Sequence, residues 1–388
     1  MMQLRRAVSG RSLSYNLIMK RWRLVAIRIF GFISAVMIVA LIVFAGLSLL
    51  RPSSSIVKVS SSQDGAIKPD QDYTISIVGD ISLADNWSVM PQYDSRGKGV
   101  NGILSDEVLK VMRESDFMVA NNEFTVSNRG AKTPGKYYTF RAKPERLSIY
   151  DEMGVDLVTL ANNHVYDFGP LAFNDMLESF EAINMPYVGA GRNLDEAKEP
   201  YYLTLPSGYR VAFVNATRAE KWGIDTPGAT DTAGGVLLCY DTAEFIDTIK
   251  TAKANSDYVV AIIHWGTESS HQLEAVQITT AQDYINAGAD IIVGGHAHTL
   301  QGIDYNGGKP IIYNLGDFIF NNQTEDTGIL QIKFLADDGV KFYFLPGEQK
   351  NVFTDLLSGD ARTQKINEIL SWGGSNARIL DDGEIVTK

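Results

Sequence analysis

Cysteine is almost missing from this chain: Cys239 stands alone among 388 residues. A disulfide framework and any cysteine-based zinc finger are therefore excluded. Proline is sparse, with 12 residues against 34 glycines, which excludes collagen-like and proline-rich low-complexity chains. Histidine is scarcer still, at five residues, so each position carries information. Acidic residues are absent from the first 51 positions, which hold eight of the 35 Lys and Arg residues. The rest of the chain is left with 27 basic against 46 acidic residues, a net charge of −19. Such a body repels a polyphosphate at long range, which argues against a nucleic-acid partner. With 45% hydrophobic and 21% charged residues, the chain has the means to bury a core.

What is present falls into four parts: a basic segment, 1–28; an uncharged stretch, 29–50; a linker, 51–72; and a body, 73–388. The 22 residues IFGFISAVMIVALIVFAGLSLL carry no charge. At 1.5 Å per residue they span roughly 30 Å as a helix, the thickness of a bilayer core. Seven basic residues precede them, so the positive-inside rule predicts a single-pass anchor in the cytoplasmic membrane. Its N-terminus would be cytoplasmic and its body extracytoplasmic. A cleaved signal has a shorter apolar region, and a lipoprotein needs a cysteine that does not follow. The linker is rich in Ser, Gly, Pro, Lys and Asp and reads as a stalk.

The body alternates strand and helix patterns. Apolar runs at 73–78, 117–120, 156–160, 258–263 and 290–293 read as strands. Leu104, Val108, Val111 and Met112 share a helical face, and Phe173, Met176, Leu177, Phe180 and Ile183 form the stripe of a helix opened by Gly169-Pro170. Asp241 with Glu244 predicts a capping box, and a further helix is expected over 273–287. Pro206-Ser207-Gly208 and Asn306-Gly307-Gly308 predict hairpins. The expected class is α/β, a layered sheet structure with helices outside.

Polar residues follow successive strands: Asp80, Glu123, Asn163, His264 and His296. Ligand sites of α/β sheets collect at such carboxyl ends. An Asp after Gly is ordinarily a turn residue, and a strand-end His is often a hydrogen-bonded core residue. Five in succession point to one cleft. His164 and His298 join the set, and the spacing of His296 and His298 can put both rings on one side of an extended segment. His271 lies in a polar loop and reads as surface. An N/O donor set without thiolate suits Mn, Fe, Co or Zn. Arg141 and Lys143 are candidates to hold an anionic substrate group, and Arg218, Lys221 and Trp222 form a second basic and aromatic patch.

The segments GDISLADN (79–86), NNEF (121–124), FRAKPE (140–145), GVDLVTLANNHVYDFG (154–169), VGAG (188–191), IIHWGTE (262–268), GADIIVGGHAHTLQG (288–302) and NLGDFIF (314–320) stand in an order that resembles the CapA (PgsA-like) family of bacterial capsule proteins. That family is associated with poly-γ-glutamate and is similar to the calcineurin-like metallophosphoesterases. The resemblance implies an αββα metallophosphoesterase-like sandwich behind one N-terminal transmembrane helix. It implies one or two divalent ions held by Asp80, Glu123, Asn163, His264, His296 and His298, with His164 as the acid that protonates a leaving group. Ser82 stands where phosphoesterases commonly carry a His ligand, and Asp317 where relatives often carry Asn. The implied function is a membrane-anchored, metal-dependent hydrolase or transferase acting on an anionic envelope polymer or phosphorylated precursor. The alternatives are a non-catalytic assembly or export component working with other poly-γ-glutamate synthase subunits, and a general extracytoplasmic metallophosphoesterase.

Overall fold

The computed structural model describes residues 71–219, 226–336 and 339–388, all within the compact unit Ala66–Lys388. The expected membrane segment 29–50, the linker up to residue 70, and Lys221 and Trp222 lie outside the described residues. Among those described, no helix is long and apolar enough to cross a membrane.

Two sheets form the centre. The larger has ten strands, built around Tyr73–Ile81 between the parallel Phe117–Asn122 and the antiparallel Thr324–Phe334. It continues through Leu157–Thr159 to Tyr187–Val188 on one side and through Val340–Lys350 to Glu384–Thr387 and Ala377–Ile379 on the other. The second sheet has six strands in the spatial order Ile303–Asn306, Lys309–Ile312, Ile291–His296, Tyr258–Trp265, Arg210–Thr217, Tyr201–Thr204. Both predicted hairpins form, pairing Tyr201 with Phe213 and Ile303 with Ile312.

The strands that carry site residues are buried on both faces, which explains their continuous apolar runs. Ile75, Ile77, Val119 and Leu157 of the first sheet pack against Val211, Phe213, Val260 and Val293 of the second. The outer face of the first sheet is covered by helices Asp106–Glu114, Ser148–Met153 and Gly169–Ala182 through Val108, Met112, Tyr150, Phe173 and Phe180. Helices Ala243–Ala254 and Ala275–Ala287 cover the outer face of the second through Phe245, Ile249, Ala281 and Tyr284. The result is the expected helix–sheet–sheet–helix layering. Each large side chain taken into these layers contributes about 1.5–3 kcal/mol of transfer free energy.

Two local expectations are corrected. Ile183 ends the apolar stripe as an exposed C-cap, because the helix closes at Ala182. No capping box opens Ala243–Ala254: Thr242 is the N-cap, and Asp241 instead accepts from the Ala243 N–H at 3.0 Å. The box forms at Ala275–Ala287, between Glu274 and Gln277. The C-terminal helix Gly359–Trp372 carries too thin an apolar stripe to be read from sequence, with Ile366 and Ile369 as its buried residues.

Candidate metal centre

The parallel strands of both sheets end at one edge, and their last residues meet there. Asp80 pairs in register with Asn121 on one side and Asp317 on the other. Across the gap between sheets, the backbone N–H of His296 donates to Asp80 Oδ2 at 2.9 Å. Close approach requires glycine at two positions. A Cβ on Gly295 would sit 2.8 Å from Asp80 Oδ1, and one on Gly294 only 1.8 Å from the Tyr313 carbonyl oxygen. His296 and His298 do not lie on an extended segment as expected: they have φ of 91° and 56°, a left-handed turn that a non-glycine residue holds only under constraint. The turn still brings their rings within 6.0 Å of each other.

The six expected ligands converge. His264 Nε2 lies 2.9 Å from Asn163 Oδ1, 3.1 Å from His296 Nδ1 and 3.6 Å from Glu123 Oε1. His298 Nε2 lies 4.0 Å from the same Glu123 oxygen. Two groups of three follow, Glu123 with His264 and His296, and Asp80 with Glu123 and His298; within each, one donor atom per residue lies within 4.8 Å of the others. Glu123 belongs to both. Among the described residues its Oε1 is buried without a hydrogen-bond partner, a costly state for a carboxylate oxygen unless a cation is its partner. The donor set fits a divalent transition metal on these grounds, and Ser82, whose buried hydroxyl also lacks a partner among the described residues, supplies no imidazole to the second group.

Burial and neighbouring charges set the protonation of each group, and His298, unlike His264 and His296, must shed a proton before it can coordinate. Burial raises the Asp80 carboxyl above its usual range, against the pull of His298. Burial, then the charges of Asp80 and Asp317, push Glu123 well above its own. Burial and neighbouring imidazoles drive His264 and His296 well below theirs, so both are neutral and able to coordinate. For His298 burial pulls downward, but Asp317 overrides it and lifts the ring to about 9. Burial raises Asp317 to about 7. Its Oδ1 lies 2.7 Å from His298 Nδ1, which leaves Nε2 facing Glu123. Asp317 therefore orients a ligand imidazole, the common second partner of a metal-binding His.

Sequence reasoning missed the supporting polar residues. Asn121 donates to Asp80 Oδ1 at 2.7 Å and Glu123 Oε2 at 3.1 Å, bracing the two carboxylates. Asn162 in turn donates to Asn121 and to the Asn122 carbonyl. Asp167 Oδ2 lies 2.8 Å from His164 Nδ1 and accepts from the Phe140 N–H at 2.6 Å, while Lys136 reaches its other oxygen at 2.9 Å. The i, i+3 spacing of His164 and Asp167 was the available signal. Arg141 does not join the cluster: its guanidinium lies 4.2 Å over the Phe168 ring. Lys143 is exposed, its backbone N–H held by Asp85. Arg218 lies over Tyr240. His271 is not the surface residue expected, since it stacks 3.7 Å from Trp372 and bonds the Leu300 carbonyl at 2.8 Å.

Layered sheets with a His, carboxylate and Asn cluster at their joined strand ends define an αββα domain with a cleft compatible with a divalent metal. The model of the bacterial capsule synthesis protein PGA_cap matches residues 74–322, a span that contains every residue of the cluster. The chain belongs to that family. It is 29% identical over 325 residues to the PGA biosynthesis protein CapA of Bacillus subtilis (strain 168), covering 81% of this chain and 82% of that one. It is 30% identical over 286 residues to the capsule biosynthesis protein CapA of Bacillus anthracis, covering 70% and 66%. A Mycobacterium tuberculosis protein named "Probable polyglutamine synthesis accessory protein" is 27% identical over 222 residues, 55% of this chain and 58% of its own.

Proposed function

We propose that this chain serves poly-γ-glutamate capsule synthesis or export as a metal-dependent hydrolase or transferase of the metallophosphoesterase type. Its substrate is an anionic envelope polymer or a phosphorylated precursor. The domain works outside the cytoplasmic membrane, tethered by segment 29–50. The observation that carries this reading is Glu123, a buried carboxylate with an unpartnered oxygen shared by two three-ligand groups. Asp80 and His298 complete one group; His264 and His296, with Asn163 beside them, complete the other.

A divalent ion held there supplies Lewis acidity toward an anionic oxygen and eases deprotonation of water. The chain's own residues do the rest. Asp167 holds His164 through Nδ1, so Nε2 is the nitrogen left to deliver a proton to a leaving group. Asn121 bridges the two carboxylates and fixes their spacing. Arg141 and Lys143 lie on the neighbouring segment and hold anionic groups of the substrate.

A second reading, a non-catalytic assembly component, is favoured by one observation: Ser82 withholds the imidazole expected at the first motif. The "accessory" designation of the mycobacterial relative agrees with it. The full chain, supplied in turn with Mn, Fe, Co and Zn, should hydrolyse phosphate or amide model substrates. If it cleaves none, and polymer output in cells depends on Asp80 but not on His164, the assembly reading replaces the enzyme.

A further inference from the structure

The acidic body contains one strongly basic stretch. Six of the seven charged residues in 129–146 are cationic: Arg129, Lys132, Lys136, Arg141, Lys143 and Arg146, against Glu145. Arg129 is paired with Asp175, Lys136 with Asp167, and Arg146 with Asp85 and Asp94. Lys132 and Lys143 are exposed and form no ion pair among the described residues.

The same stretch displays two tyrosines. Tyr137 is 86% exposed and Tyr138 53%, the two most exposed large apolar side chains described, and they are adjacent. They are held in place rather than loose. The turn at 133–136 closes through the Lys136 N–H on the Thr133 carbonyl, and the Thr133 N–H is bound to the Asp167 carbonyl at 2.8 Å. Asp167 is the residue that orients His164.

Rings connect this edge to the cluster. His164 lies 4.4 Å from Phe140, Phe140 lies 5.2 Å from Trp87, Trp87 lies 5.9 Å from Tyr138, and Tyr138 lies 4.8 Å from Tyr137. Along this line the Trp87 indole N–H and the hydroxyl of Thr139, a residue only 4% exposed, have no hydrogen-bond partner among the described residues. Two adjacent exposed aromatic faces beside cations without an ion pair make an amphipathic patch suited to an anionic chain.

We infer that Tyr137, Tyr138 and Trp87, flanked by Lys132 and Lys143, form an exterior subsite that holds an acidic polyamide chain leading to His164. Lysines pair with the regularly spaced carboxylates. Tyrosine faces pack on the methylene and amide units between them. The subsite gives a chain whose charge beyond residue 51 is −19 a local means to hold a polyanion. The inference rests on the capsule-polymer reading above.

The test is binding of a defined-length γ-linked oligoglutamate to the full chain, with single-stranded oligonucleotide as a competitor. The parent should bind the oligoglutamate, more weakly as salt rises. Tyr137→Ala with Tyr138→Ala should weaken binding roughly tenfold or more, the effect of two lost aromatic contacts, and Lys132→Gln with Lys143→Gln should flatten the salt dependence. Both variants alter exposed side chains and should keep the parent's melting temperature and metal content. Unchanged affinity in both variants, no binding by the parent, or displacement by the oligonucleotide would each overturn the subsite. Failure of the hydrolase reading itself would appear separately, as absent cleavage of small phosphate and amide substrates.

Discussion

Glu123→Gln should change the sign of its effect on stability when metal is added. In the metal-stripped protein this carboxyl is fully buried near Asp80 and Asp317, and its pKa lies well above the usual glutamate value. A carboxyl with a raised folded pKa makes the folded state bind more protons than the unfolded one. Stability is therefore lost as pH rises from the unfolded pKa towards the folded one. Gln removes that charge at little change in volume, so stripped Glu123→Gln should be at least as stable as the stripped parent at neutral pH. With metal the order should reverse. A ligand at a hundred times its dissociation constant stabilises the native state by about 2.7 kcal/mol. At about 2–4 °C per kcal/mol, this is a rise of roughly 5–10 °C in the parent. Glu123 serves both ligand groups, so the variant should lose most of that rise. Thermal unfolding followed by circular dichroism, with and without Mn or Zn, measures all four values. An equal metal-induced rise in both proteins would refute the role given to Glu123, as would a variant several degrees less stable than the parent when both are stripped.

Other outcomes are equally definite. His164→Ala should keep the metal, since His164 belongs to neither ligand group, while turnover falls roughly 10²–10⁴-fold; steady-state kinetics beside elemental analysis checks both. Gly294→Ala should destabilise the fold by about 1–3 kcal/mol, because its Cβ would meet the Tyr313 carbonyl oxygen at 1.8 Å and force the strand that carries His296 to shift; denaturant melts and metal content should fall together. Metal affinity should strengthen as pH rises above the ordinary carboxylate range, because Asp80 and Glu123 have raised pKa values and must release protons that compete with the ion. Calorimetry in buffers of different ionisation enthalpy would detect that proton release.

The ligand residues were legible because each closes an apolar run: Asp80 after the first strand, His264 and His296 at the ends of two more, and a polar side chain there has few other uses. The residues that fix their geometry were not. Asn121 and Asn162 sit in Asn-rich segments that read as turns, and only their hydrogen bonds across 41 positions reveal a brace. The role of Asp317 depends on the pairing of its strand beside Asp80, which sets it against His298 and which no local pattern reveals. Nothing in the sequence says that the loop carrying Lys136 folds back onto Asp167. The left-handed turn at His296 and His298 escaped notice for a related reason: its backbone is held by contacts from other strands, among them the Asp80 carboxylate. Layering was legible because the period of the apolar residues switches cleanly between strand and helix. The C-terminal helix was not, since it buries little.

The central claim is that the cluster at the joined strand ends holds metal, and elemental analysis tests it most directly. The full chain would be stripped with chelator, reloaded with Mn or Zn, freed of loose ions by gel filtration, and measured beside a His264→Ala, His296→Ala double variant. The account predicts at least one retained ion per parent chain and a loss in the variant, because the variant keeps only Glu123 of one ligand group. A parent that retains no ion, or a variant that retains as much as the parent, would contradict it.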